Sequence, residues 1–189
     1  GRVSKNNPSL IAIYLEFQFE NTTISGFYGI APISLASNTY PGSTSNSVGA
    51  SVSLGRVYVN ALFTTPTAAY VSTDTVGVIW RPGIGAWITK NGVAVSGNPL
   101  NGTGAHLSTP AGIEYYPLVD PTNGGSIRLC AHARNQRNRP IYCEAWDGAD
   151  ILPEQHFRGT ITSNTKFEEG VWFSNPWGGS GSSGTSIGA

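Results

Sequence analysis

The acids Glu144 and Asp147, with Asp150 beyond them, are the closest approach in this sequence to a catalytic carboxylate pair. A glycosidase on a β-sandwich needs two such groups about 5 to 10 Å apart in a cleft. Along a strand, however, positions three apart point to opposite faces, which leaves Glu144 and Asp147 as solvated rim acids. A glycoside hydrolase is therefore not expected. His106, His132 and His156 are scattered, with no metal-ligand spacing and no nucleophile motif beside them, so hydrogen-bonding or surface roles are expected and neither metal nor cofactor is. Cys130 and Cys143 are the only cysteines, too few for a four-ligand zinc site, and buried thiols are the expectation. A hairpin turning at Gln136 and Arg137 would set the two opposite each other and keep a bridge geometrically open.

Binding chemistry is better represented. His132, Arg134, Arg137 and Arg139 form a basic cluster in an expected loop, and Arg presents a bidentate fork to a carboxylate on a partner protein or a glycan. A solvated hairpin tip is the alternative. Trp146, Trp172 and Trp177, with Phe157, Phe167 and Phe173, fall where strand alternation is weak; such aromatics either cap a sandwich or anchor an interface. The segment VWFSNPW, with Trp172, Phe173 and Trp177, is the expected docking element, against the alternative of a lid on the chain's own core, and Trp146 joins the arginine loop as a candidate contact.

The elements that must position these groups read as strands. In Ile11 to Phe19, Ile11, Ile13, Leu15, Phe17 and Phe19 share one face while Tyr14, Glu16 and Gln18 share the other, so one side is expected on the core. Further short strands are expected at Phe27 to Ala31, Val48 to Val52, Arg56 to Ala61, Thr75 to Trp80, Ala86 to Thr89, Tyr115 to Val119, Ser126 to Ala131 and Pro140 to Trp146. Turn-forming runs such as RPGIG, NG and DPTNGG separate them, and no helix of ten residues or more is expected. Many short strands argue for an antiparallel sandwich or jelly roll.

Composition narrows the partners. The chain of 189 residues has 11 basic and 11 acidic groups, so only 12% of it is charged, about half the usual share. Zero net charge removes the attraction to phosphate on which nucleic-acid binding depends. The longest apolar run, Leu10 to Leu15, is far short of the ~20 residues that span a bilayer, so membrane insertion is not expected. With three Lys (Lys5, Lys90, Lys166), the surface must be wetted by Ser, Thr, Asn and Gly, and such a surface packs on a neighbour at little desolvation cost. The tail from Gly178 to Ala189 has linker composition, and an ordered path for it would need neighbouring subunits.

Seven segments in order resemble the SPRY domain, a concanavalin-like β-sandwich. YLEFQF from Tyr14, FYGIA from Phe27, DTVGVIW from Asp74, AWITKNGVAV from Ala86, Asn98-Pro99, YYPLV from Tyr115 and SIRLC ending at Cys130 are similar to successive strands and turns of that family. Cys130 stands where the family usually has Asn or an aromatic residue, and fewer residues precede Tyr14 than the family usually carries. The resemblance implies an all-β sandwich over residues 1–146, followed by an irregular C-terminal arm over 147–189. It also implies binding rather than catalysis, with Glu16 a structural acid. The absence of Met, the scarcity of Lys and the Gly/Ser/Thr/Asn richness look like a viral structural protein, and SPRY-like modules occur in tailed-phage virion proteins. The expectation is a virion protein, as capsid decoration or as a tail fibre or receptor-binding accessory, with copies of itself and other virion proteins as partners and a host glycan or receptor as a further one. A lectin-like module and a SPRY adaptor are the alternatives.

Overall fold

The computed structural model describes residues 11–32, 40–123, 125–131, 133–146, 155–158, 166–168 and 171–173. Two sheets pack face to face as an all-β sandwich, and the only helix among the described residues is a 3-10 turn at Ala133–Asn135.

The first sheet contains β1 (Ala12–Phe19), β6 (Thr75–Arg81), β7 (Gly85–Lys90), β8 (Val93–Ala94), β10 (Ser126–Cys130), β11 (Cys143–Ala145) and β12 (Gln155–Arg158), and its order is β12-β10-β1-β6-β7-β8. The second contains β2 (Phe27–Pro32), β3 (Val48–Ser51), β4 (Arg56–Val59), β5 (Leu62–Pro66), β9 (Tyr115–Asp120), β13 (Lys166–Glu168) and β14 (Val171–Phe173), in the order β13-β14-β9-β2-β3-β4-β5. Pairing is antiparallel except where β11 runs parallel to β1 and β14 parallel to β9.

Alternation along the strands builds the core. Ile13, Leu15 and Phe17 of β1 meet Tyr28 and Ile30 of β2, Val48 and Ala50 of β3, Val76, Val78 and Trp80 of β6, and Ile127 and Leu129 of β10, all buried. Each such side chain contributes roughly 1.5 to 3 kcal/mol on burial. The opposite face of β1 is buried as well. There Ala12 and Tyr14 pack with Ile79, Trp87 and Cys143 in a second, smaller cluster. The expectation that β1 has one side on the core is thus corrected to both, because the chain between β10 and β11 folds back across the outside of the sheet.

Two turns follow directly from residue type. Asn91 and Gly92 join β7 to β8 with φ of 53° and 77°, the pair of positive angles that a two-residue hairpin demands and that Asn-Gly supplies most cheaply. Asn60 and Ala61 make the corresponding turn between β4 and β5 with φ of 50° and 66°. Here the expected strand Arg56 to Ala61 stops at Val59, and Ala61 occupies a conformation that costs an L-residue about 1 kcal/mol. Within β6, Gly77 is required by space: a Cβ there would collide with Thr89 Oγ1 and Tyr14 Oη.

Candidate functional site

Two surfaces are built to hold side chains in fixed positions, one on the outer face of each sheet. On the first, Glu16 is the organising group. It is 0% exposed, and each carboxylate oxygen is doubly occupied. Oε1 accepts the Arg137 backbone N–H at 2.8 Å and the Gln18 amide at 2.7 Å; Oε2 accepts the Asn138 backbone N–H at 2.9 Å and the Tyr14 hydroxyl at 3.2 Å. Four donors replace the water this carboxylate gave up, which is what makes its burial tolerable. Burial, reinforced by the Glu16 charge, drives the Tyr14 hydroxyl far above its ordinary value, so it remains a donor.

The same loop is stitched down along its length. Gln18 Nε2 donates to the Asn135 carbonyl at 2.8 Å, Gln136 Nε2 to the Tyr14 and Cys130 carbonyls at 2.9 Å each, and Asn138 Nδ2 to Thr75 Oγ1 at 3.0 Å. With its backbone tied inward, the loop turns Arg134, Arg137 and Arg139 outward; all three are exposed. Ile141 beside them is 97% exposed. Of the expected basic cluster, the structure therefore brings three arginines onto one tethered loop, while His132 lies outside the described residues.

Trp146 does not join them. It is 7% exposed and packs on Trp80 with ring centroids 5.4 Å apart, inside the main core. The expectation of a loop contact is corrected: β11 pairs with Ile13 and Tyr14 of β1 and carries the next residue into the sandwich, where an indole gains more from apolar burial than from water. The cysteines follow the same logic. Both are buried and neither is in a disulfide, and no hairpin sets them opposite each other. Cys130 stands beside Glu16 and Cys143 beside Ala12, four positions apart along β1, or roughly 13 Å, beyond reach of a bridge. Burial, partly offset by the Arg139 charge, pushes the Cys143 thiol up to about 12.

His106 has a structural role. Its Nδ1 accepts the Ile88 backbone N–H at 3.1 Å, so the neutral ring carries its proton on Nε2, which donates to Ser96 Oγ at 2.9 Å. Burial holds its pKa down at about 4. Among the described residues, no group of three or more His, Cys, Asp and Glu side chains is placed to hold a metal ion, and no helix is long and apolar enough to cross a membrane.

The outer face of the second sheet carries an aromatic row that sequence reasoning did not single out. Phe27, Tyr40, Tyr58 and Phe63 follow one another with centroids 4.3, 5.4 and 4.4 Å apart. The Arg56 guanidinium lies over the Phe63 ring, 5.4 Å from its centroid. Tyr58 and Phe63 are brought together by the Asn60-Ala61 turn, and that turn is fastened to the loop before β3: Ala61 N–H donates to the Gly42 carbonyl at 2.7 Å, and Asn46 N–H to Asn60 Oδ1 at 2.8 Å. Aromatic residues at alternating positions flanking a two-residue turn were the available signal.

Asp120 lies on this side of the sheet, paired in register with Phe27. It is 1% exposed, and its Oδ2 has no hydrogen-bond partner. Burial pushes its pKa up to about 7. Asp74 pins the open end of the β6–β7 hairpin, bonding the Asn91 amide and Lys90. Burial raises its pKa, but the Val71 N–H, the Asn91 amide and Lys90 at 3.0 Å together bring it below the ordinary range.

Trp172 and Phe173 form part of β14, whose backbone aligns with Leu118 and Val119 of β9. Trp177 and the Gly/Ser tail lie outside the described residues. No protein-family model matches the chain, and no curated protein matches it either.

Proposed function

We propose that this chain is a non-enzymatic structural and binding protein of a bacteriophage virion, serving as capsid decoration or as a tail fibre or receptor-binding accessory. In this reading it assembles with copies of itself and with other virion proteins through the C-terminal arm that contains Trp172, Phe173 and Trp177. The observation that carries the reading is the character of the surface. Leu54, Leu62, Phe63, Val71, Ile84, Val93, Leu100 and Ile141 are all exposed on a chain of which only 12% is charged. Such a surface surrenders little hydration when it packs against a lattice of neighbours. The SPRY-like order of strands and turns supports binding over catalysis.

The test is to purify particles of the phage whose genome encodes this chain, count its copies by quantitative mass spectrometry and locate it with gold-labelled antibody fragments. A fixed copy number per particle, at capsid or tail, is expected. Intact particles that lack the chain would overturn the proposal.

A further inference from the structure

Asp120 and Pro121 form the one Asp-Pro dipeptide in the chain. Such a bond is weak for two reasons. The Asp carboxyl can reach its own backbone carbonyl carbon and close a five-membered ring, and the proline nitrogen, a tertiary amide without a hydrogen, leaves as a basic secondary amine. The structure adds what the dipeptide alone lacks. Asp120 is 1% exposed, its Oδ2 has no hydrogen-bond partner, and it forms no salt bridge with any described residue. The titratable groups that sense its charge are the hydroxyls of Tyr28 on β2 and Tyr40 ahead of β3, and burial pushes both upward, so neither is charged. With no cation against the acid and no donor on Oδ2, burial keeps the carboxyl protonated up to about pH 7.

The backbone there is fixed on one side and unpaired on the other. Phe27 with Asp120 is the last pair of β2 and β9, and Gly26 packs so closely on the Asp120 carbonyl oxygen that a Cβ would collide with it. Pro121, itself buried, follows at once and has no N–H to extend the ladder.

We propose that the folded chain cleaves its own Asp120–Pro121 bond. The carboxyl oxygen of Asp120 adds to the Asp120 carbonyl carbon, the C–N bond to Pro121 breaks, and the carboxyl proton passes to the proline nitrogen. A cyclic anhydride remains, which water opens to leave Asp120 as a C-terminal residue with two carboxyl groups. No atom is oxidised or reduced, and water is the one co-reactant. A buried acid with an unpartnered oxygen and a displaced pKa calls for an explanation, and a nucleophile set beside its own leaving group provides one. The cut leaves the two pieces together, because β10 and β11, which follow it, pair with β1, which precedes it. It happens once per chain and turns over no substrate, so the non-enzymatic reading above stands or falls separately.

The test incubates the purified full chain at pH 7, folded and in urea, and follows fragments 1–120 and 121–189 by intact-mass spectrometry. The folded chain is expected to release a fragment beginning at Pro121 at least about tenfold faster than the unfolded chain, whose carboxyl at its ordinary 3.8 is ionised and has no proton to give. The folded rate is expected to fall as pH rises above 7. Asp120→Asn, which removes the carboxyl, and Pro121→Ala, which replaces the tertiary amide, are each expected to slow the cut by about tenfold or more. Thermal melts show that each variant is folded, and the Asn variant carries the test if Pro121→Ala does not fold. A folded wild-type chain that stays intact, one that is cut no faster than the unfolded chain, or an Asp120→Asn variant cut as fast as the wild type would each overturn the proposal.

Discussion

Glu16 and Asp120 are both carboxylates removed from water, one on the outer side of each sheet, and they meet opposite treatment. Glu16 receives four donors, two of them backbone amides of a loop more than a hundred residues away in sequence. Asp120 is left with an unpartnered oxygen beside an aromatic row and is pushed up to about 7. Burial alone therefore does not decide what a buried acid does; the donors around it do. At Glu16 the acid fastens a loop and so aims three arginines. At Asp120 the acid is a cost that the sheet carries.

The largest expected effect comes from removing the fastening. Glu16→Ala leaves two backbone amides and the Gln18 side chain without their acceptor, and should cost at least about 3 kcal/mol in a denaturant titration. It should also release the Arg137 and Asn138 amides to rapid hydrogen exchange while the β6 and β7 amides stay protected. Equal loss of protection everywhere would show that Glu16 supports the whole sandwich rather than the loop.

Asp120→Asn should act in the opposite direction. The folded-state pKa of about 7 lies above the ordinary 3.8, so the folded protein holds this proton more tightly. The contribution from Asp120 is complete below about pH 4 and is lost as pH rises through 7. The Asn variant should gain about 2 kcal/mol at pH 8 and nothing at pH 3. A loss of stability at pH 8 would mean that the ionised acid has a partner and that the contrast with Glu16 is false.

His106 sharpens the comparison, because its sign is reversed. Its folded value of about 4 lies below the ordinary 6.5, so its contribution is present above pH 6.5 and lost as pH falls through 4. Between these limits the two groups oppose each other. Stability of the Asp120→Asn variant should therefore rise between pH 4 and 6.5 more steeply than that of the wild type. The smallest effect is expected at the turn beside the aromatic row: Ala61→Gly relieves a positive φ of 66° and should stabilise by up to about 1 kcal/mol, measured by thermal unfolding.

Much of the scaffold was legible beforehand. The alternation from Ile11 to Phe19 and the Asn91-Gly92 turn are local, and each emerged where expected. So did the burial of both thiols and the hydrogen-bonded role of His106. The strand Leu62–Pro66 was not legible, because the Asn60-Ala61 turn lacks the glycine that announces such a hairpin. Trp146 was misplaced for a different reason: β11 runs parallel to β1, and a parallel partner leaves no turn in the sequence by which to find it.

By itself the sequence determined the strands, the two-residue turns and the sparse, balanced charge, since each depends on neighbours a few positions apart. Only the tertiary structure decided that Glu16 would meet the amides of Arg137 and Asn138 while Oδ2 of Asp120 was left without a donor. Hydrogen-bond donors are short-ranged, and which of them reach a given carboxylate is settled when distant segments pack, not when they are written side by side.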